Sequence, residues 1–366
     1  MLTTDEVIPL RKLLQGKNIL ITGGTGSIGS EIFRQVLLYD PKVVRVYSRD
    51  EHKQFEMQQE FAGRPNIRFL IGDVRDKERL QRAIEEIDIV FHAAALKHVP
   101  YCEYNPFEAV KTNVLGTQNV IEAALDEEVE KVVAISTDKV VNPGNTLGAT
   151  KLMAEKLVAS ANHYKGKRKT VFSCVRFGNV MGSRGSVIPL FRKQISEGGP
   201  VTITDPNMTR FMMSIADAVN LVLKAAQVSR GGETFILKMP TLRLIDLVEV
   251  LIKELAPKYG YLPKNIPVKY IGARPGEKMH EDLLSPDEIP RTFESKDMFI
   301  VSDRVQPSAY PFLVEQAGVT IYSSRDGRHL TKRKIKDLLY KANLLWSRES
   351  DLRSDYCAEI AAGLEE

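Results

Sequence analysis

The sequence is poor in the residues that build disulfide frameworks and metal centres. Its 366 residues include three cysteines, Cys102, Cys174 and Cys357, which lie far apart and form no Cys-x-x-Cys pair. Disulfide-stabilised domains are rich in cysteines and usually hold an even number, and structural zinc sites use closely spaced pairs. We therefore expect reduced thiols, no metal site and a cytoplasmic protein.

Long apolar runs and a charge of one sign are also missing. No apolar stretch approaches the ~18 residues that a membrane-spanning helix needs, and the N-terminus lacks the features of a signal peptide. The 51 basic and 47 acidic residues are interspersed, and the net charge is only +4. This excludes the concentrated basic face of a nucleic-acid-binding protein. We expect neither a membrane nor nucleic acid as a partner.

What the sequence does contain is a glycine-rich turn between an apolar strand and an amphipathic helix. Ile19 to Ile21 is apolar, and Gly23, Gly26 and Gly29 follow. Gly23 suits the tight turn, Gly26 the approach of a diphosphate, and Gly29 the close packing of helix on strand. The backbone N–H groups that begin the helix would face the diphosphate. The motif predicts a dinucleotide-binding fold near the N-terminus.

The end of the second predicted strand indicates which dinucleotide binds. NAD-binding folds carry an acidic residue there, about 20 residues past the glycines, to hold the ribose hydroxyls. This chain has Ser48 instead, followed by Arg49, Asp50 and Lys53. Ser48 removes a carboxylate that would repel a 2′-phosphate, while Arg49 and Lys53 supply positive charge to bind one. The sequence favours NADP over NAD, with Asp50 as the opposing feature.

Strands and helices alternate regularly as far as residue 180. The later predicted strands are 67–71, 87–91, 132–136 and 171–176, and the longer helices are 107–125 and 149–161. This alternation predicts an α/β fold with a doubly wound parallel sheet, the Rossmann fold, and a smaller C-terminal α/β substrate-binding domain. The expected domains are 1–180 for NADP, with later segments returning to it, 181–300 mainly for substrate, and a helical tail at 301–366.

Five motifs together resemble one enzyme family. They are Thr22-Gly-Gly-Thr-Gly-Ser-Ile-Gly29, Ser48-Arg-Asp-Glu51, Ala94-Ala-Leu-Lys-His-Val-Pro100, Ser136-Thr-Asp-Lys139 and Arg274-Pro-Gly-Glu-Lys278. In order and spacing they resemble the UDP-N-acetylglucosamine 4,6-dehydratases of the extended short-chain dehydrogenases/reductases. The resemblance implies a UDP-sugar substrate, UDP-N-acetylglucosamine, which is oxidised transiently at C4 and loses water across C5 and C6. Hydride return to C6 then gives a UDP-2-acetamido-2,6-dideoxy-4-hexulose.

The resemblance also implies the site residues. The catalytic residues would be Thr137, Asp138, Lys139 and Lys151. The cofactor contacts would be Gly23, Thr25, Gly26, Ser27, Ile28, Gly29, Ser48, Arg49, Lys53, Asp73, Val74, Ala93, Ala94 and Lys151. The substrate contacts would be Lys97, His98, Asn179, Thr202, Thr204, Arg210, Arg274 and Glu277. Asp138 would protonate the leaving water, Lys139 would deprotonate C5, and Lys151 would hold the nicotinamide ribose.

One position departs from the superfamily pattern, Tyr-x-x-x-Lys. Here the segment is Leu147-Gly-Ala-Thr-Lys151, so a leucine stands where the superfamily has its catalytic base. Leucine cannot accept a proton, so Thr137, Asp138 and Lys139 would take over. Leu147 weakens the match to the C5-inverting branch, and we therefore expect retention at C5.

Two alternatives stay open. One is a C5-inverting dehydratase or an epimerase that acts on the same or a related nucleotide sugar. The other is an NADP-binding sensor without catalysis, although the adjacent acid and amine of Asp138 and Lys139 argue against it. The superfamily assembles through the helices that follow strands four and five. We therefore expect a homo-oligomer formed through helices 107–125 and 149–161.

Overall fold

The computed structural model describes residues 4–304, 307–310, 315–316, 318 and 322–345. The α-helices in these ranges are α1 (Thr4–Leu14), α2 (Ser27–Val36), α3 (Glu51–Glu60), α4 (Lys77–Ile84), α5 (Val99–Tyr104), α6 (Pro106–Ala109), α7 (Gly116–Asp126), α8 (Thr146–Tyr164), α9 (Val187–Ser196), α10 (Ile215–Val228), α11 (Leu244–Leu255) and α12 (Lys332–Lys341). None of these described helices has the length and apolar character that a membrane crossing requires.

The strands of the same ranges are mostly short. They are β1 (Asn18–Thr22), β2 (Val43–Ser48), β3 (Ile67–Ile71), β4 (Ile89–His92), β5 (Lys131–Ile135), β6 (Val171–Arg176), β7 (Asn179–Val180), β8 (Val201–Ile203), β9 (Thr209–Met213), β10 (Thr234–Leu237), β11 (Thr241–Arg243), β12 (Val268–Tyr270), β13 (Asp282–Leu284), β14 (Thr292–Glu294), β15 (Met298–Val301), β16 (Glu315–Gln316) and β17 (Tyr322–Ser323). Single helical turns lie at Leu37–Tyr39, Asp138–Val140, Ala256–Tyr259, Pro263–Asn265, Ile289–Arg291 and Pro307–Ala309, and Val110–Leu115 is a π-helix.

The described residues form two compact units, each built from separate stretches of the chain. The first unit lies within Met1–Gly178, Ile215–Met239 and Glu281–Ser323, and the second within Asn179–Ser214, Pro240–His280 and Ser324–Glu366. Two later segments thus return to the first unit. The domain boundaries expected after residues 180 and 300 stay predictions.

The first unit is organised around one large sheet. In the described part of the chain this sheet has ten strands in the order β16-β14-β15-β10-β6-β5-β4-β1-β2-β3. The strands from β10 to β3 pair in parallel, and β15, β14 and β16 add antiparallel pairs at one edge. The order 3-2-1-4-5-6 is that of doubly wound dinucleotide-binding folds. The predicted α/β class with a doubly wound parallel sheet is confirmed.

Both faces of this sheet are covered, which explains its continuous apolar strands. Ile19, Leu20 and Ile21 of β1 are all 0% exposed. Successive side chains of a strand point to opposite faces. Leu20 accordingly packs in the apolar cluster that includes residues of α4, α7 and α8. Helices α1 and α2 both pack against α10, which also contacts β5 and β6.

The helix predicted at 107–125 is interrupted. It consists of α6, the π-helix Val110–Leu115 and α7. Asn113 lies in the π-helix, fully buried, and its side chain bonds the backbone N and O of Leu96 at 2.8 and 3.1 Å and Thr150 Oγ1 at 3.1 Å. A wider helical turn of this kind does not register in apolar periodicity, which is why the sequence predicted one regular helix.

The second unit contains small sheets and its own apolar cluster. Strands pair in the orders β11-β9-β7 and β12-β8. The cluster includes Phe191 of α9, Leu247 and Leu251 of α11, and Ile335 and Leu339 of α12. Helix α12 lies within the predicted helical tail at 301–366. The spacing of Tyr356, Ile360 and Leu364 predicts a further helix, which lies outside the described residues.

Candidate active site

The turn after β1 brings the backbone against the end of β4. Gly23 has a φ of 65°, a conformation that L side chains rarely adopt. A Cβ on Gly23 would lie 2.7 Å from Ala94 N, and a Cβ on Gly29 would lie 2.3 Å from the carbonyl oxygen of Gly23. Glycine at both positions therefore allows α2 to begin directly at the carboxyl edge of the parallel strands.

A cleft of about 250 Å³ opens beside this turn. The predicted cofactor residues that line it are Gly23, Thr25, Gly26, Ser48, Arg49, Lys53, Asp73, Val74, Ala93 and Ala94. The other predicted cofactor residues, Ser27, Ile28, Gly29 and Lys151, are not part of that lining. Its remaining members, which we did not predict as contacts, are Tyr47, Asp50, Gly72, Ala95 and Thr112.

The cleft has the features that a dinucleotide requires. Helix α2 is preceded by Gly26, which offers no side-chain cap. The N-terminus of α2, the positive end of the helix dipole, therefore faces an anion without a capping side chain at Gly26. Thr112 Oγ1 is buried and has no hydrogen-bond partner among the described residues. Buried polar atoms are normally satisfied, so a bound polar ligand would remove this cost.

The two cations predicted to bind a 2′-phosphate are each paired with an acid. Arg49 lies 3.6 Å from Asp73, although 58% of its side chain is exposed. The Lys53 ammonium contacts Asp50, which also caps α3 by accepting from Lys53 N at 3.1 Å. Burial opposes the ionisation of Asp73, but the hydrogen bonds and charge of Arg75 and the charge of Arg49 lower its pKa. A 2′-phosphate would share these cations with the acids.

A buried chain of hydrogen bonds fixes His92, the last residue of β4. His92 Nδ1 lies 2.7 Å from Thr22 Oγ1, and His92 Nε2 lies 3.0 Å from Thr117 Oγ1. Thr117 donates its only hydroxyl proton to the carbonyl oxygen of Asn113 at 2.7 Å. It must therefore accept from His92 Nε2–H, while Thr22 donates to Nδ1. Burial lowers the pKa of His92 to about 3, so a neutral imidazole with one defined tautomer stands behind Ala93 and Ala94.

The predicted catalytic residues that follow β5 share one turn. Asp138 is fully buried. Its Oδ1 accepts from Thr137 Oγ1 at 2.8 Å and from Lys139 Nζ at 2.9 Å. Its Oδ2 is buried without a hydrogen-bond partner in the described part of the chain. The turn therefore holds an acid and an amine in direct contact, with one carboxylate oxygen left over.

A second carboxylate, which the sequence analysis missed, faces the same amine. Glu281 Oε1 lies 3.6 Å from Lys139 Nζ, and Glu281 is only 3% exposed. Opposite charges at this distance favour the ionised form of each group. Glu281 directly precedes β13 and is far from Lys139 in the sequence. No local motif could signal the contact, because it depends on the return of residues 281–323 to the first unit.

Lys151 and Leu147 lie in the first turns of α8. Lys151 Nζ donates to the carbonyl oxygen of Ile135 at 2.5 Å, at the end of β5, and burial lowers the pKa of this lysine. Leu147 is 4% exposed and packs in an apolar cluster with Cys102 and Ala109. The position of the superfamily tyrosine thus has purely apolar neighbours in that cluster.

Four of the predicted substrate residues meet in the second unit. Thr204 Oγ1 donates to Glu277 Oε2 at 3.2 Å, and Arg274 N lies 3.4 Å from the same oxygen. Arg210 Nη2 lies 3.8 Å from Glu277 Oε1. Its guanidinium also donates to three carbonyl oxygens, those of Thr209, Lys278 and Met279. Arg210 therefore holds the loop that carries Glu277.

The remaining predicted substrate residues have other surroundings. Thr202 Oγ1 accepts from Gln194 Nε2 at 2.7 Å. Asn179 lies in β7, opposite Met212 of β9. Lys97 is exposed in the first unit, and burial lowers the pKa of its neighbour His98.

Comparison with known proteins decides the family. A family model described as polysaccharide biosynthesis protein matches residues 19–303. The chain belongs to this family. An uncharacterized membrane protein of Methanocaldococcus jannaschii is 59% identical over 331 residues, which are 90% of this chain and 97% of that protein. The UDP-N-acetylglucosamine 4,6-dehydratase (inverting) of Campylobacter jejuni is 49% identical over 293 residues, 79% of this chain and 84% of that enzyme.

A solved structure agrees with this family membership. The X-ray structure of Pen from Bacillus thuringiensis matches with a TM-score of 0.86 and 49% identity, over 91% of this chain and 99% of that one. The resemblance to the UDP-N-acetylglucosamine 4,6-dehydratases is thereby confirmed. The expected retention at C5 gains no support, because the Campylobacter relative is named inverting.

We expect acid to destabilise the protein partly through His92. Its pKa is about 3 in the folded state against an ordinary 6.5, so below pH 6.5 the unfolded chain binds a proton that the folded chain does not. The contribution to stability is therefore complete above pH 6.5 and is lost as the pH falls. Between pH 7.5 and 5 this loss amounts to about 2 kcal/mol of unfolding free energy.

Urea denaturation of wild type and His92→Gln at both pH values measures this loss. The variant should be less stable at pH 7.5. On acidification its free energy of unfolding should fall by about 2 kcal/mol less than that of wild type. His163→Gln, at an exposed position of α8, should behave like wild type. Equal acid sensitivity of wild type and His92→Gln would contradict the assignment.

Proposed function

We propose that the protein is an NADP-dependent UDP-N-acetylglucosamine 4,6-dehydratase that inverts the configuration at C5. The observation that carries this proposal is the buried turn in which Asp138 bonds both Thr137 and Lys139. The name of the Campylobacter relative supports the substrate and the inversion. Leu147 does not oppose inversion, because the missing tyrosine concerns the C4 hydroxyl and not the face of C5 that is protonated.

The cleft beside the glycine turn would hold NADP, with Arg49 and Lys53 at its 2′-phosphate. When bound, NADP would supply the acceptor and donor of hydride for the transient oxidation of the sugar. Lys151 of α8, whose amine bonds the carbonyl oxygen of Ile135 at the end of β5, would hold the nicotinamide ribose. Thr112, with its unsatisfied hydroxyl, is a further candidate for a cofactor contact.

Loss of water across C5 and C6 needs one base and one acid, and the Asp138–Lys139 pair can supply both from a single proton. Transfer of that proton from the ammonium to the carboxylate, along their 2.9 Å hydrogen bond, gives a neutral amine and a carboxylic acid. The amine then accepts the C5 proton, and the acid protonates the departing C6 hydroxyl. The pair returns to ammonium and carboxylate, so the step needs no outside proton.

The proton of the C4 hydroxyl needs another route, because Leu147 cannot accept it. Thr137 Oγ1 donates to Asp138 Oδ1 at 2.8 Å. A sugar hydroxyl that donates to Thr137 Oγ1 can therefore pass its proton on to Asp138 through the threonine hydroxyl. The pair then releases one proton to water, so that it again holds the single proton used in the loss of water. Water returns a proton to C5 once the hydride has returned to C6. Thr137 and Asp138 would thus perform the proton transfer that the superfamily assigns to the tyrosine.

We propose that uridine diphosphate is bound by the six residues of the second unit that the family resemblance implies. They are Asn179, Thr202, Thr204, Arg210, Arg274 and Glu277. Lys97 and His98 stay predicted substrate contacts. Arg274 is exposed, and its cationic side chain suits a diphosphate. Arg210 is buried against carbonyl oxygens, so we expect it to act mainly by holding Glu277 in place.

The reaction itself gives the first test. Purified protein incubated with NADP and UDP-N-acetylglucosamine in D₂O should form the 4-keto-6-deoxy sugar with deuterium at an inverted C5, as followed by NMR. Asp138→Asn should lower turnover by about 10²- to 10⁴-fold, because it removes the proton acceptor of the pair. Asp297→Asn, the same change in a surface ion pair with Lys224, should leave turnover unchanged.

A product that retains the configuration at C5 would contradict inversion but would leave the proposed dehydratase activity intact. Near-full turnover by Asp138→Asn would overturn the role of the pair.

Cofactor preference gives the second test. Arg49→Ala should weaken NADP binding by about 10- to 100-fold, the value of a charge-assisted phosphate contact, and should affect NAD binding little. Isothermal titration with both nucleotides measures the ratio. Arg64→Ala removes an exposed cation outside the cleft lining and should leave the ratio unchanged. An unaltered ratio in Arg49→Ala, or tighter binding of NAD by wild type, would contradict NADP preference.

We also propose that the protein forms a homo-oligomer through the helices from α5 to α8, which pack on one another. Large apolar side chains on this stretch are exposed, with Tyr104 at 86%, Phe107 at 63%, Leu115 at 50% and Met153 at 51%. Exposed apolar side chains in such numbers indicate an interface.

Light scattering at micromolar concentration should give a dimer or larger, and Leu115→Glu with Met153→Glu should give a smaller species. Phe55→Glu on α3, 59% exposed, is the control, and a monomeric wild type would contradict assembly.

A further inference from the structure

We propose that Glu281 is a positioning residue that holds the Lys139 amine in place and favours its ammonium form. Glu281 would thereby set the pH range in which the Asp138–Lys139 pair exchanges its proton. This role rests on the proposed function, in which that exchange prepares the loss of water. Neither the motifs nor the family resemblance pointed to this residue.

The amine of Lys139 lies between two buried carboxylates. Asp138 Oδ1 is 2.9 Å away and Glu281 Oε1 is 3.6 Å away. Asp138 and Glu281 are 0% and 3% exposed, whereas 22% of the Lys139 side chain is exposed. Carboxylates are rarely buried unless an opposite charge or hydrogen bonds compensate for their lost hydration. The Lys139 amine contacts both of these carboxylates.

Glu281 is fixed in position by the segment that follows it. Arg176 Nη1 donates to the carbonyl oxygen of Leu283 at 2.9 Å. The same guanidinium binds Glu288 through two hydrogen bonds of 2.8 and 2.7 Å. Arg176 is itself only 1% exposed. The segment from Glu281 to Glu288 is therefore anchored to the end of β6, and Glu281 has little freedom to withdraw from Lys139.

The other charged groups around this turn are directed elsewhere. Helix α8 and β13 both pack against Asp138–Val140. From α8, Lys151 bonds the carbonyl oxygen of Ile135, and Glu155 bonds Arg176. From β13, Asp282 follows Glu281, so its side chain points to the opposite side of the extended chain. Asp138 and Glu281 both lie within ion-pair distance of the Lys139 amine.

Two carboxylates around one amine have a definite chemical consequence. Transfer of the ammonium proton to Asp138 leaves a neutral amine beside the ionised Glu281, and the attraction between Glu281 and the ammonium is lost. Glu281 therefore opposes that transfer and stabilises the ammonium that forms when Lys139 accepts the C5 proton. Removing the Glu281 charge should let Lys139 titrate at lower pH, by about one unit for a partner at this distance.

The experiment follows Lys139 directly as well as through activity. Protein labelled with ¹³C at lysine Cε is titrated by NMR, with the Lys139 signal assigned from Lys139→Arg, and the pH profile of kcat is measured in parallel. Glu281→Gln should lower the Lys139 midpoint and shift the corresponding limb of the kcat profile by about one pH unit, with little change in KM. Glu281→Asp, which keeps the charge but withdraws it, should give a smaller shift in the same direction.

Glu294→Gln is the matched control, because it removes a carboxylate from another ion pair of the same unit, with Lys238. It should leave both curves unchanged. An unmoved Lys139 midpoint in both Glu281 variants would overturn the contact, and Glu281→Asp provides the answer if Glu281→Gln fails to fold. A moved midpoint with an unmoved kcat profile would overturn the catalytic role. Failure of wild type to convert UDP-N-acetylglucosamine would refute the proposed function, while the NMR titration would still test the contact.

Discussion

The buried guanidinium of Arg176 bonds two of the elements that carry the proposed chemistry in the first unit. Arg176, the last residue of β6, binds Glu155 of α8 and Glu288 after β13. Burial opposes the ionisation of Glu288, but the hydrogen bonds and charge of Arg176 lower its pKa. Loss of one partner from a buried cluster of this kind typically costs about 3–5 kcal/mol, because the other charges stay buried without compensation. The helix that carries Lys151 and the segment that carries Glu281 therefore share one anchor.

Parallel topology explains why distant motifs serve one site. The carboxyl ends of β1, β4, β5 and β6 lie at the same edge of the sheet, so each strand delivers its following turn there. The glycine turn follows β1, Ala93 to Ala95 follow β4, and the Thr137–Lys139 turn follows β5. Each turn needs only a few residues of special type, while the strands behind them supply an apolar core.

What the sequence allowed us to predict was local. The glycine turn and the Asp138–Lys139 pair are contiguous in the chain, so a motif beside a strand was enough to find them. Glu281, Thr112 and the hydrogen-bond partners of His92 belong to contacts between distant segments, which periodicity and spacing do not encode. Leu147 does not predict the configuration at C5, because the absence of a base at one position carries no information about which face of C5 is protonated.

The first unit is built from separate stretches of the chain, and this affects its folding during synthesis. Strand β6 pairs with β10 at Cys174, Val175 and Arg176, so its edge stays open until Thr234–Leu237 has been synthesised. At ribosomal rates, the roughly 60 intervening residues take about 3–12 s. During that time an apolar strand edge is exposed on the nascent chain, and such edges recruit other strands. A chain cut after residue 178 would carry this edge permanently, so aggregation during synthesis is a hazard that only the later segments remove.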